Sequence, residues 1–159
     1  MRVEYLTTAP RQTKKLGEIL AKEVLKTKLK KTAFLIGLEG DLGGGKTTFL
    51  QGFAKGLGIK EKILSPTFVI MQRFKIRANS CSNSCKFANF YHIDCYRISK
   101  PKEILDLGFK EIISNPKNIV AIEWVDRVRK ILPRGTLILK FQFANKNKRK
   151  IVIKQKNGK

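Results

Sequence analysis

The sequence predicts an α/β fold built on a mixed sheet, mostly parallel at its centre and antiparallel at its edges. Three observations carry this expectation. The apolar runs "AFLIGLE" and "NIVAIEW" are too short for ordinary helices and read as buried central strands. Helical apolar spacing falls between strand-like runs, most clearly in "KTTFLQGFAKGLG". The chain closes on two strand-like runs around "ANKNK", the pattern of a hairpin. Strands that alternate with helices put the centre of the sheet in the parallel class.

Taken in order, "VEYLT" alternates and reads as a first strand. Thr8, with Pro10 just after it, starts a helix on which Leu16, Ile19, Leu20 and Val24 recur at helical spacing. The lysine-rich "KTKLKKT" ends that helix and leads into "AFLIGLE". The next helix gathers Phe49, Leu50, Phe53, Ala54 and Leu57 on one face, with Gly58 as its C-terminal cap. "TFVIMQRF" reads as a strand, "KIRANSCSNSCK" as an exposed loop, and "FANFYHIDCYRI" as the returning strand. Pro101 opens a short helix through Leu107, with Gly108 as its stop. After "NIVAIEW", "VDRVRKIL" is a single helical span before Pro133. "TLILKFQF" and "KRKIVIKQ" form the terminal hairpin.

At 159 residues with 42% apolar content and ten Phe, the chain is expected to be one domain, 1–159, with a core that needs no staples. No apolar run approaches the roughly 20 residues that span a bilayer. The N-terminus "MRVEYLTTAPRQTKK" has no apolar h-region and no small-residue cleavage site, so a cytoplasmic address is expected.

Charge dominates the composition: 34 Lys plus Arg against 12 Asp plus Glu give +22, and no acid follows Asp126. Such a field attracts polyanions, although scattered lysines in a lysine-biased chain carry little specificity. Cys81, Cys85 and Cys95 are too few, and odd in number, for a disulfide framework. With His92 they could surround one zinc ion, but the preferred reading is reduced thiols in a loop and on a strand.

"GDLGGGKTT" follows the buried strand directly, and Gly40, Gly45, Lys46 and Thr47 satisfy G-x-x-x-x-G-K-[ST]. Gly43, Gly44 and Gly45 can turn successive backbone N–H groups around phosphate oxygens, and the following helix adds its positive N-terminus. Lys46 reaches the β- and γ-phosphates, and the Thr47 hydroxyl suits Mg²⁺. A P-loop needs a second carboxylate at the end of a neighbouring strand. Glu123 ends "IVAIE", Asp94 shares a strand face with His92 and Tyr96, and Asp126 lies in the following helix facing solvent. Spacing favours Glu123 as the metal ligand with Asp94 as its helper, and leaves the exchanged assignment open. Asn145-Lys146-Asn147-Lys148 approaches the guanine-reading N-K-x-D stretch but lacks its aspartate, which favours ATP over GTP.

The combination of "GDLGGGKTT", "SPTF" (65–68), "HIDCYR" (92–97) and "IEW" (122–124), in this order, resembles the TsaE family. These are small bacterial P-loop ATPases of tRNA threonylcarbamoyladenosine biosynthesis, and the likeness runs from the first helix to the last strand. It implies a P-loop fold with ATP contacts at Leu42, Gly43, Gly44, Gly45, Lys46, Thr47 and Thr48, and Mg²⁺ held by Thr47 and Glu123. It further implies a switch-like segment at "SPTF", an essential acid at Asp94, and nucleotide contacts from Arg149 and Thr8. TsaD and TsaB are the implied partners, with tRNA reached through the complex and direct contact possible. Arg97 is the candidate arginine finger, and hydrolysis is expected to be slow without partners. Gly44 stands where the family usually has alanine, and Cys95 where it usually has leucine. The competing readings are a small-molecule kinase and a nucleic-acid-binding P-loop protein.

Overall fold

The computed structural model describes residues 1–64, 69–77 and 86–157. In chain order the elements are β1 (Arg2–Thr7), α1 (Pro10–Lys26), β2 (Phe34–Glu39), α2 (Lys46–Gly56), β3 (Met71–Lys75) and β4 (Asn89–Asp94). They continue as α3 (Pro101–Leu105), α4 (Phe109–Ser114), β5 (Asn118–Glu123), a 3₁₀ segment (Val125–Ile131), β6 (Leu137–Asn145) and β7 (Lys148–Gln155). The strands form one seven-stranded sheet in the order β1-β7-β6-β2-β5-β4-β3. β2 runs parallel to both β5 and β6, and β4 runs parallel to β5. The β3–β4, β6–β7 and β7–β1 pairs are antiparallel. The mixed sheet is the one expected.

Both central strands are buried on both faces because each face carries a helical layer. Ile36 and Leu38 of β2 pack with Phe49, Phe53 and Phe90 beneath α1 and α2. Leu35, from the opposite face, packs with Ile104, Phe109, Val120, Ile122 and Val125. Burying each such Leu, Ile or Phe contributes about 1.5–3 kcal/mol. Gly37 allows the 3₁₀ segment to lie close against β2, since an added Cβ would come within 2.5 Å of Val125 Cγ2.

Leu16, Leu20 and Val24 of the expected stripe pack into the core, and small residues beside them let α1 lie close against α2. Thr13, Gly17, Ala21 and Val24 are the buried positions of α1. Ile19 of the expected stripe is 48% exposed. An added Cβ at Gly17 would lie 2.2 Å from the Phe49 carbonyl oxygen, and one at Gly52 would lie 1.9 Å from that of Lys14. The helix starts where Gln12 Oε1 accepts from both the backbone N–H and the hydroxyl of Thr8, at 2.6 and 3.0 Å.

Four further elements depart from their expected bounds. β3 begins only at Met71, and the first two residues of "TFVIMQRF" lie outside the described residues. β4 stops at Asp94, so Tyr96 does not continue the face of His92 and Asp94, and is 44% exposed. Gly108, with φ of 80°, ends one helical piece and opens α4, a helix that sequence spacing did not suggest. "VDRVRKIL" forms 3₁₀ turns around a non-helical Val128. Val125 and Val128, three apart, share one buried side, which suits the 3₁₀ repeat. Among the described residues, no helix is long and apolar enough to cross a membrane.

Candidate functional site

The site is built at the C-terminal edge of the parallel strands, where β2 turns into α2 through the glycine loop. Gly40, Gly43 and Gly45 take φ of 140°, 73° and 100°. Glycine is required there because L side chains rarely adopt such angles. Gly40 also packs so closely that an added Cβ would meet the Phe141 carbonyl oxygen at 2.4 Å. Gly44 departs from the expectation, because it is not among the positive-φ residues. Its N–H donates to the Asp41 carbonyl at 3.1 Å, forming a tight turn. An added Cβ at Gly43 would meet nothing within 4 Å, so open space faces the loop at that residue.

Lys46 opens α2 and is 5% exposed. Its Nζ donates to the carbonyls of Gly40 and Asp41 at 2.6 and 2.9 Å, and lies 4.2 Å from the centre of the Trp124 ring. Burial pushes its pKa below the ordinary lysine value, opposed by the carboxylates of Glu123, Asp41, Asp94 and Asp126. Thr47, one residue on, donates from Oγ1 to both oxygens of Glu123 at 3.2 and 3.3 Å. Glu123 closes β5, is 2% exposed, and also lies 3.0 Å from His92 Nε2 on β4. His92 is wholly buried, and its Nδ1 has no hydrogen-bond partner among the described residues. An unpaired buried polar atom of this kind costs about 1–3 kcal/mol.

Asp94 pairs in register with Glu123 across β4 and β5 and is 8% exposed. One of its oxygens accepts from the Tyr96 N–H at 2.9 Å. Of the two acids, Glu123 is therefore the one that Thr47 reaches. Asp126 is exposed, as expected. Trp124, which follows Glu123, is the one non-glycine residue with positive φ among the described residues, at 56°. That conformation costs about 1–3 kcal/mol and sets the indole beside Lys46 and 5.0 Å from the Tyr96 ring.

Two cavities meet at the loop. One, of about 170 Å³, is bordered by Leu42, Gly44, Lys46, Thr47, Glu123 and Trp124. The other, of about 330 Å³, is bordered by Thr8, Pro10, Thr13, Lys146, Asn147 and Arg149. Gly43, Gly45 and Thr48 border both. The structure thus gathers every residue expected to contact nucleotide around one continuous rim, while Asp94 stands beside it on β4. Leu42, 67% exposed, forms the lip of the smaller cavity. Arg149 lies with its guanidinium 4.1 Å from the Phe143 ring. Lys146 and Asn147, weighed above only as a failed guanine motif, enter the wall through the β6–β7 turn. No local pattern announces this, since only the hairpin register carries them there. Trp124 was likewise unassigned a role, and nothing in the sequence signals its backbone angle.

Other candidates do not join the site. Arg97 is exposed and lies outside the described lining residues of both cavities. Cys95 is fully buried, and burial, with Asp94 and Asp126 nearby, pushes its thiol up to about 12. Cys81, Cys85 and the "SPTF" segment lie outside the described residues, and no metal-binding cluster of His, Cys, Asp and Glu occurs among those described. The oxygen donors of Thr47 and Glu123 fit a hard cation such as Mg²⁺. The glycine loop and helix N-terminus fit phosphate.

A buried parallel strand, a loop with left-handed glycines, and a helix opened by lysine and threonine together define a P-loop protein. The family model described as threonylcarbamoyl adenosine biosynthesis protein TsaE matches residues 7–151. The tRNA threonylcarbamoyladenosine biosynthesis protein TsaE of Rickettsia typhi is 32% identical over 154 residues, covering 96% of this chain and 95% of the relative. Its Bacillus subtilis counterpart is 31% identical over 151 residues, covering 95% and 84%. The crystal structure of YdiB from Bacillus subtilis superposes with a TM-score of 0.71 at 27% identity, covering 96% of this chain and 84% of that one. The chain belongs to the TsaE family of tRNA threonylcarbamoyladenosine biosynthesis proteins.

Proposed function

We propose that the protein is the Mg²⁺-dependent, ATP-binding and ATP-hydrolysing subunit of the bacterial assembly that makes threonylcarbamoyladenosine beside the tRNA anticodon. In this reading it works in the cytoplasm with the transferase proteins TsaD and TsaB, and meets tRNA within that assembly. The observation that carries the reading is the convergence of Lys46, Thr47 and Glu123 on the glycine loop, with Thr47 Oγ1 3.2 and 3.3 Å from the Glu123 carboxylate. When bound, Mg²⁺ would neutralise charge developing on the phosphates.

The chain's own groups have separable tasks. Backbone N–H groups of Gly43 and of Gly45 to Thr48 bind phosphate oxygens, while that of Gly44 holds the turn to Asp41. Lys46 exchanges its carbonyl partners for phosphate, and Thr47 and Glu123 hold the ion. Asp94 orients the attacking water and accepts its proton. Thr8 and Arg149 flank the base in the larger cavity, and Leu42 shields the phosphates at the lip. No arginine is among the described residues bordering the smaller cavity, which supports slow hydrolysis by the isolated chain.

The test is phosphate release from ATP by the chain alone and with TsaD, TsaB and tRNA. We expect stimulation by the partners of about tenfold or more. Equal rates would overturn the reading. Replacing Glu123 by alanine is expected to weaken Mg²⁺-dependent ATP binding about 10–100-fold. Asp94→Ala is expected to lower turnover about 100-fold with a smaller loss of binding.

A further inference from the structure

We propose that His92 is a positioning residue that aims the Glu123 carboxylate at the metal. The inference rests on the metal role given to Glu123 above. A carboxylate at 2% exposure cannot rely on water to fix its orientation, so its protein partners must do so. Two are present: Thr47 Oγ1, at 3.2 and 3.3 Å from its two oxygens, and His92 Nε2, at 3.0 Å from Oε1. Thr47 is itself assigned to the ion, and its lone pairs must turn that way when the ion binds. The imidazole then remains as the partner of Oε1 in a carboxylate that borders the cavity of the glycine loop.

The state of the ring follows from the same contacts. A carboxylate accepts, so Nε2 carries the proton and donates it. Nδ1 is buried and unpartnered among the described residues. A histidine kept fully buried with one nitrogen unsatisfied serves through the other. The sheet register brings this about: His92 pairs with Ala121 on β5, two residues before Glu123, so both side chains rise from the same face of adjacent parallel strands.

The chain has one histidine and one tryptophan, so each probe reports a single residue. Imidazole ¹⁵N spectra of the metal-free protein are expected to show a proton on Nε2, the nitrogen that faces Glu123, and a bare Nε2 overturns the assignment. The second measurement is ATP affinity with and without Mg²⁺, followed by Trp124 fluorescence. His92→Gln, which keeps an N–H donor at similar reach, should retain the Mg²⁺ enhancement within about threefold, whereas His92→Leu should lose about tenfold or more of it. Metal-free ATP affinity should be unchanged in both variants. An equal loss in both, or no loss in His92→Leu, reduces His92 to a core filler and overturns the proposal. Should His92→Leu fail to fold, His92→Asn, too short to reach Glu123, takes its place. If the wild-type chain shows no Mg²⁺ enhancement, the nucleotide reading fails instead, and the tautomer still tests the His92–Glu123 bond.

Discussion

Among the loop glycines, identical residues meet different demands. Gly40 has both a left-handed φ and a neighbouring carbonyl 2.4 Å from where a Cβ would stand. Gly44 has ordinary φ, and its tightest projected contact, 2.9 Å to the Asp41 carbonyl oxygen, requires the backbone there to move but no change of φ. Gly40→Ala is therefore expected to destabilise by about 2 kcal/mol or more, and Gly44→Ala by about 1 kcal/mol or less. Urea denaturation of the two variants checks the order, and equal costs would refute it. The motif spacing alone made Lys46, Thr47 and Glu123 legible, because loop, helix start and strand end are local features. Which of Glu123 and Asp94 lies against Thr47 was not local. It depended on which carboxylate α2 presents Thr47 to, and that is a matter of packing.

At the scale of elements, strands were easier to read than helix faces. The runs of β2 and β5 stand out because both of their faces are buried. On α1 the apolar stripe marks the core-facing side through Leu16, Leu20 and Val24, but close helix approach also uses the small residues Gly17 and Ala21, which a search for large apolar side chains passes over. Glu18 flanks this seam. It is 15% exposed as a side chain, bonds Lys22 at 2.9 Å, and reaches across to Lys55 of α2 at 3.6 Å. The hydrogen bond from Lys22, with Lys15, Lys22 and Lys55 nearby, holds its carboxyl below the ordinary glutamate range. A carboxyl lowered on folding contributes stability above its unfolded value and loses it as the pH falls through the folded one. Glu18→Gln should therefore cost up to about 1 kcal/mol at pH 7, less in high salt because the lysines are exposed. That cost should vanish below the lowered pKa. Chemical denaturation in steps from pH 7 into the acid range reads the difference, and a cost that does not change with pH would contradict the assignment.

Over the whole molecule, the helical layers cover the sheet unequally. α1 and α2 pack on one face, while α3, α4 and the 3₁₀ segment bury β2, β4 and β5 on the other. On β6 and β7, Lys140 and Lys154 remain exposed, with Lys150 half-buried beside them. Glu4 takes up Lys150 at 2.9 Å and Arg2 at 2.7 Å. With +22 overall, direct contact with tRNA, where it occurs, is expected to carry a steep salt dependence. Lys140→Ala and Lys154→Ala should each reduce that slope by about one if they meet phosphate. Fluorescence anisotropy at several salt concentrations measures it, and an unchanged slope would leave those lysines as solvating charge only.

By itself the sequence determined the α/β class, the strands in their order along the chain, the glycine loop, and the family resemblance. Each of these is written in short-range periodicity or in a motif of adjacent residues. Only the tertiary structure decided that His92 bonds Glu123, that Trp124 lies over Lys46, and that Thr8, Lys146, Asn147 and Arg149 share a cavity with the loop. These groups are distant in sequence and meet through strand register and helix approach. Register is set by the burial of whole faces and helix approach by the smallest residues on them, so neither is carried by any single stretch of chain.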